Sequence, residues 1–488
     1  MNYFEKKTPE QLGISSKVIL EFIDNIKKRN ICMHSFMIMR HGAVAAEGYY
    51  APFHKDFLHR MYSVSKSFVG AAIGCLCDEG KISLFDKVVK YFPEYEASAH
   101  PYVKDMTIRD MLIMATPFDK NAYDGDRDEN WIEAFFREKC THPAGTIFDY
   151  NTAATYMLDV IVEKVAGKDF LEYLKDRALR ETGFSENSWC VKSPEGYAWG
   201  GSGVMATTRD LARFAQLMMN GGKWNGKQLI SEEYVKAATS RQIDSDPGNI
   251  SAIYHKGYGY QIWIIEDGFA FLGMGGQFGI CFPKKDLLFV CTGDNQGSDI
   301  NYKMIIDYAV NLIGASVTSE TLPENKAAAD ELETRLASLK FGNVRGEKTS
   351  PAIDKVNGVT YKLNDSTAMS EFRLEFDGDK GAFNYVLNGE KKTIEFGIGE
   401  YIETKFPETK YWGERIRVSA EREYDALCCG SWIEENKFML RVYIVDWYFG
   451  NLTVTIGFKG ENEVGVNMSK SAEFFLDDYR GFTGGEKA

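Results

Sequence analysis

Two short apolar blocks, residues 35–39 and 44–47, flank Gly42 near the start of the chain. Blocks of that length around a glycine read as the paired strands of a hairpin. The period then changes. Between residues 63 and 217 apolar positions recur at helical spacing over 105–114, 130–139, 152–166, 169–177 and 208–219. Apolar blocks of strand length return at 258–265, 269–272, 279–282 and 287–292, and 302–313 reads as a closing helix. Strands, many helices, then strands and a helix are the order expected of a sheet flanked by helices.

A second pattern begins after residue 316. Residues 317–323 read as a linker, and 324–339 as a polar helix rich in Ala, Glu and Lys. From about Lys348 onward apolar and polar residues alternate, as in Phe372-Arg373-Leu374-Glu375-Phe376 ahead of Asp377-Gly378. Asn388-Gly389, after Tyr385-Val386-Leu387, is a hairpin-turn signal. Residues 438–448 and 452–458 continue the strand pattern. The expected division is 1–316 as one body, 317–347 as linker and helix, and 348–488 as a small β-barrel or sandwich. That last unit reads as a structural or substrate-gating appendage rather than a second active site.

A chain of 488 residues is too long for one core. Its net charge of -13 argues against nucleic acid and anionic membrane surfaces as partners. Met1 to Lys7 is polar and charged, with no apolar signal core behind it, and residues 68–77 are too short to span a bilayer. A cytoplasmic location is expected. The nine cysteines form no C-x-x-C pair and sit mostly in apolar runs, as reduced, buried thiols would. The seven histidines match no zinc pattern, so no metal is expected. Asp124, Asp126 and Asp128 have the spacing of calcium ligands. Glu129 stands where the EF-hand glycine belongs and Phe135 at the closing acidic position, so a solvated acidic loop is the better reading.

The candidate chemistry begins at Ser63-Val64-Ser65-Lys66. A serine and a lysine three residues apart lie on one face of a helix, one turn separated. That puts an amine beside a hydroxyl, which a serine nucleophile needs when no histidine serves as its base. A glycine- and alanine-rich apolar stretch follows, so Ser63 should sit where a loop enters a helix, near backbone N–H groups and the positive end of the dipole. Gly200-Gly201-Ser202-Gly203 looks like a nucleophile elbow, but Val204 replaces the final glycine of G-x-S-x-G. Trp199, Tyr258, Tyr260 and Trp263 are either pocket-lining or core aromatics.

The S-x-x-K run resembles the active-site motif of the serine β-lactamase, penicillin-binding protein and 6-aminohexanoate-dimer hydrolase superfamily, nearest its class C branch. Further segments resemble that family in order: Thr107-Ile108-Arg109-Asp110-Met111-Leu112, Pro143-Ala144-Gly145-Thr146-Ile147-Phe148-Asp149-Tyr150, residues 200–220, and Leu272-Gly273-Met274-Gly275-Gly276-Gln277. The likeness spans roughly residues 8–315. It implies an α+β fold, an antiparallel sheet flanked by helices with a helical subdomain, to which the C-terminal all-β unit is added. It also implies a serine hydrolase cleaving a small-molecule ester or amide through an acyl-enzyme on Ser63, with no cofactor.

By the same resemblance Lys66 and Tyr150 are the catalytic partners, and either could take the proton. The oxyanion hole would be the N–H groups of Ser63 and Gln277. Met274, Gly275, Gly276 and Thr152 would line the substrate. Two positions depart from the pattern. Met274 stands where many relatives carry His or Lys, and Thr152 where many carry Asn, which puts β-lactam recognition in doubt. A β-lactamase or D,D-peptidase, and a non-catalytic ligand-binding module on the same fold, are the competing readings. The oligomeric state is left open.

Overall fold

The computed structural model describes residues 4–120, 130–245, 256–409, 422–447, 449–460, 462–472 and 476–488. The acidic stretch with Asp124, Asp126 and Asp128 lies outside them. The described residues fall into two compact units. One is drawn from Met1–Gly293 and Asp299–Leu339, the other from Asp294–Ser298, Lys340–Gly413 and Ser419–Ala488.

The first unit opens with helix α1 (Ser16–Lys28), capped by the Ser15 hydroxyl. Its apolar positions Ile19, Phe22, Ile23 and Ile26 are all buried, as the i, i+3, i+4, i+7 spacing demands. Strands β1 (Met33–Arg40) and β2 (Ala43–Tyr49) form the expected hairpin. Helix α2 (Ser65–Asp78) follows, then α3 (Thr152–Ala166) and α4 (Thr208–Met219). The chain returns to the sheet with β3 (Trp263–Ile265), β4 (Gly268–Gly273), β5 (Gln277–Phe282) and β6 (Leu287–Gly293). The sheet is antiparallel throughout, in the order β2–β1–β6–β5–β4–β3.

Every residue of β1 and β6 is buried because both faces of the sheet are covered. On one face Phe22 of α1 meets Phe36 and Phe289 edge-on, at 5.1 and 5.6 Å between ring centroids. Truncating such a ring to alanine costs about 3–5 kcal/mol. On the other face α4 packs Phe214 on Phe271 at 5.1 Å. Helix α2 is buried almost all round, which explains its weak amphipathicity.

Three expected elements differ. Residues 105–114 are not one helix. Thr107 is extended and caps a new helix, Ile108–Leu112, through a capping box with Asp110. Of residues 258–265 only Trp263–Ile265 are strand, because Gln261 takes a positive φ of 60° and breaks the extended run. The closing helix starts earlier, at Asp299, and widens into a π-helix over Tyr308–Gly314.

The described residues of the second unit form ten strands: β7 (Thr360–Leu363), β8 (Met369–Asp377), β9 (Lys380–Leu387), β10 (Glu390–Ile398), β11 (Ile402–Phe406), β12 (Tyr424–Glu434), β13 (Lys437–Val445), β14 (Phe449–Lys459), β15 (Glu463–Ala472) and β16 (Gly481–Lys487). A parallel pairing of β10 with β12, at Gly397–Cys429 and Ile398–Gly430, closes nine of them into a barrel. Asn388 and Gly389 both have positive φ, 50° and 81°, and turn β9 into β10.

Asp294–Ser298, which follows β6 in the chain, belongs to this second unit. Asn451 Nδ2 donates to Asp294 Oδ2 at 2.6 Å, Gln296 Nε2 donates to Asp294 Oδ1 at 2.9 Å, and Ser471 donates to the Gln296 carbonyl oxygen. Burial pushes the Asp294 carboxyl up to about 6.

Candidate active site

Ser63 sits in a short 3₁₀ turn, Tyr62–Val64, that runs directly into α2. Tyr62 has a φ of 46°, a left-handed conformation that strains any residue with a Cβ. Its surroundings hold it there. The buried Arg60 guanidinium lies over the Tyr62 ring at 4.4 Å and over Trp199 at 4.5 Å, and it donates to the Ser202 carbonyl and hydroxyl oxygens, both at 3.0 Å. Met61 N–H donates to the Val204 carbonyl at 2.7 Å. Ser65 and Ser202 are therefore framework groups: Ser65 Oγ accepts from Val204 N–H at 3.0 Å, and Ser202 Oγ accepts from Arg60.

One helical turn on, Lys66 Nζ is 3.1 Å from Ser63 Oγ and 2.7 Å from the carbonyl oxygen of Gly201. Helix spacing delivers the first contact. The second comes from a segment 135 residues away and holds the amine against Ser63. Gly201 was not among the expected site residues, since nothing in the local pattern marks a carbonyl as a lysine partner.

Tyr150 lies just before α3, whose N-cap is Asn151. Its ring faces Lys66 Nζ at 5.0 Å, and its hydroxyl is close enough to Ser63 for that side chain to draw its pKa down. Part of the ring stays open to solvent, but burial of the hydroxyl holds its pKa above that of an ordinary tyrosine, against the opposing pull of Ser63. The phenol is therefore neutral at neutral pH. Behind it stands an aromatic wall. Trp263 stacks on Tyr150 at 5.4 Å and 21°, Tyr258 meets it edge-on at 6.3 Å, and Phe148 packs on Tyr258 at 5.4 Å. Tyr258 and Trp263 thus support the tyrosine, while Trp199 and Tyr260 are buried.

The β4–β5 turn reaches the same place. A Cβ on Gly273 would lie 2.5 Å from the Met61 carbonyl oxygen, so only glycine lets β4 approach the Ser63 turn this closely. Gly275 and Gly276 carry positive φ of 79° and 105°. Gln277 is fully buried, and its carboxamide locks the start of β5 to the end of β6: Nε2 donates to the Met274 and Gly293 carbonyls at 2.8 and 2.7 Å, and Gly293 N–H donates to Oε1 at 3.1 Å. Met274 is 40 % exposed at the turn. Thr152 is the first residue of α3 and half-buried.

Among the described residues no group of three or more His, Cys, Asp or Glu side chains is arranged to hold a metal ion. All nine cysteines are free thiols. No helix of the described residues is long and apolar enough to cross a membrane.

Residues 25–384, well over half of the chain, match the family model described as Beta-lactamase. The chain is 28% identical over 312 residues to a 6-aminohexanoate-dimer hydrolase of Paenarthrobacter ureafaciens, covering 58% of this chain and 78% of that one. A Bacillus anthracis structure assigned as a 6-aminohexanoate-dimer hydrolase superposes with a TM-score of 0.54 at 22% identity, over 66% of this chain and 89% of the other. A penicillin-binding protein homologue from Caulobacter crescentus gives 0.52 at 18% identity, over 64% and 98%. At those identities the structural likenesses concern the fold.

Proposed function

The chain belongs to the beta-lactamase family and is a serine hydrolase acting on amide- or ester-like bonds, and we propose that it cleaves a small neutral ester or amide through an acyl-enzyme on Ser63. The observation that carries this reading is the 3.1 Å contact between Lys66 Nζ and Ser63 Oγ, with the Tyr150 ring facing the same amine at 5.0 Å.

In this reading Ser63 Oγ bonds to the substrate carbonyl carbon while its proton passes to the Lys66–Tyr150 pair. The N–H groups of Ser63 and Gln277 receive the negative charge that develops on the carbonyl oxygen. The carbon–leaving-group bond then breaks, and the held proton goes to the departing alcohol or amine. Water attacks the acyl-enzyme, gives its proton to the same pair, and Ser63 leaves with that proton restored. Met274 offers no charge to a substrate carboxylate, and the Phe148–Tyr150–Trp263 wall is apolar, so neutral substrates suit the site. The nine free thiols fit a reducing compartment, and we place the reaction in the cytoplasm.

A fluorophosphonate probe on the purified protein tests the reading. Labelling at Ser63 supports it, and an unlabelled folded protein overturns it. A panel of neutral ester, neutral amide, D-amino-acid peptide and nitrocefin then ranks substrate classes. Turnover confined to nitrocefin or the D-peptide would replace the neutral-substrate reading with a β-lactamase or peptidase.

A further inference from the structure

Gln261 ties α2, which follows Ser63 and carries Lys66, to α3, which follows Tyr150, and both to the Ile108–Leu112 helix, yet no step above uses it. Its Nε2 donates to the carbonyl oxygens of Met111 and Leu112, both at 3.0 Å. Its Oε1 accepts from the Thr155 hydroxyl at 2.6 Å. Its backbone oxygen accepts from Ser67 Oγ at 2.6 Å, and its backbone N–H donates to the Leu112 carbonyl at 3.0 Å. Every hydrogen-bonding group of the residue is thereby engaged.

The partners are what make this arrangement informative. Ser67 follows Lys66 on α2, and Thr155 stands five residues beyond Tyr150 on α3. Met111 and Leu112 lead into Met114, whose carbonyl oxygen accepts from Asp149 N–H at 2.8 Å and whose sulfur accepts from Asn151 N–H at 3.3 Å. The residues on both sides of Tyr150 are thus pinned to this strand of contacts. Two residues after Gln261, Trp263 stacks on the Tyr150 ring. Gly70 on α2 allows the approach: a Cβ there would lie 3.1 Å from the Tyr260 carbonyl and 3.2 Å from Gln261 Cβ. The glutamine is buried and keeps a φ of 60°, a strained conformation that persists because its contacts over-determine it.

We propose that Gln261 is a positioning residue that sets Tyr150 and Lys66 against Ser63, acting through Thr155 on one side and Ser67 on the other. It touches no substrate. The proposal rests on the serine hydrolase reading of Ser63. A displacement of about 1 Å between reacting groups costs up to about 100-fold in rate, so loosening this hub should appear in turnover.

The test compares Gln261→Met, which keeps length but removes both hydrogen-bonding ends, with Thr155→Val and Thr155→Ser. The readouts are kcat and KM for p-nitrophenyl butyrate, the rate of fluorophosphonate labelling at Ser63, and the melting midpoint. Thr155→Val should lower kcat and labelling about 10- to 100-fold, with KM within about twofold and the midpoint nearly kept, and Thr155→Ser should restore them. If Gln261→Met does not fold, the Thr155 pair carries the test. Wild-type kcat in folded Thr155→Val would overturn the proposal. Absence of wild-type labelling would instead defeat the functional reading, and a crystal structure of Thr155→Val would then decide this one. An unchanged Tyr150–Trp263 stack and Ser63–Lys66 contact would refute it, and a displaced pair would support it.

Discussion

Lys66 Nζ lies over the face of the Tyr150 ring, 5.0 Å from its centre, while meeting Ser63 Oγ directly at 3.1 Å. The amine thus reaches the Ser63 hydroxyl without the phenol as intermediary. The phenol, raised in pKa by burial, stays protonated. Tyr150→Phe keeps the ring against Trp263 and removes only the hydroxyl. General acid–base assistance is worth about 10²–10⁴-fold, so kcat/KM for a neutral ester should fall by that order with the fold intact. Lys66→Ala should be at least as damaging. Because the Tyr150 value is raised, activity should show no tyrosinate limb below pH about 10. A limb there that vanishes in Tyr150→Phe would assign the base to the tyrosine.

Ser63→Ala should abolish both turnover and fluorophosphonate labelling. Ser65→Ala and Ser202→Ala each remove one hydrogen bond from the framework, a loss of about 1 kcal/mol, and should leave the label on Ser63. Peptide mapping by mass spectrometry locates the adduct, and finding it on Ser202 would refute the nucleophile assignment.

Met274→His places an imidazole on an exposed turn without disturbing the buried Gln277 lock. Turnover of a neutral ester should stay within about twofold, while a carboxylate-bearing amide should improve, by up to the 0.2–1 kcal/mol typical of an exposed ion pair, or about fivefold. Equal kcat/KM ratios for the two substrates before and after substitution would remove position 274 from substrate selection.

Burial raises the Asp294 carboxyl from 3.8 to about 6. An acid whose folded value exceeds its unfolded value holds its proton more tightly in the folded state. Its contribution is therefore most favourable below pH 3.8, declines as pH rises to about 6, and is level above that. A shift of this size corresponds to about 3 kcal/mol. Denaturant midpoints between pH 4 and pH 7 should fall more steeply in the wild type than in Asp294→Asn. Parallel curves would show that this carboxyl does not titrate with folding.

The meeting of Ser63, Lys66 and Tyr150 was legible because two lie one helical turn apart and all three sit in recognisable runs. The Asn388-Gly389 turn was legible because its chemistry is local. Gly201 and Gln261 were not, since their partners lie 135 residues away for Lys66 and 106 for Thr155. The 258–265 block was misread for a different reason. Apolarity reports burial, and a buried loop with one left-handed residue is as apolar as a strand. The break at Thr107 could have been seen, as Thr107 and Asp110 have the spacing of a capping box and outweigh the helical periodicity around them.

Asn451, which bonds Asp294, lies 157 residues further along the chain. On a ribosome adding about 5–20 residues per second, the two are separated by roughly 8–30 seconds of synthesis. Through that interval Asp294 and Gln296 have emerged but their partners on β14 and β15 have not. The strand ending at Gly293 can pair with β1 and β5 at once, whereas the five residues after it must wait in water for the barrel. Chain elongation thus supplies the strands of the sheet before those of the barrel. The sheet beside Ser63 is available first, and the Asp294 carboxyl enters its buried, proton-retaining setting only after the last third of the polypeptide has been made.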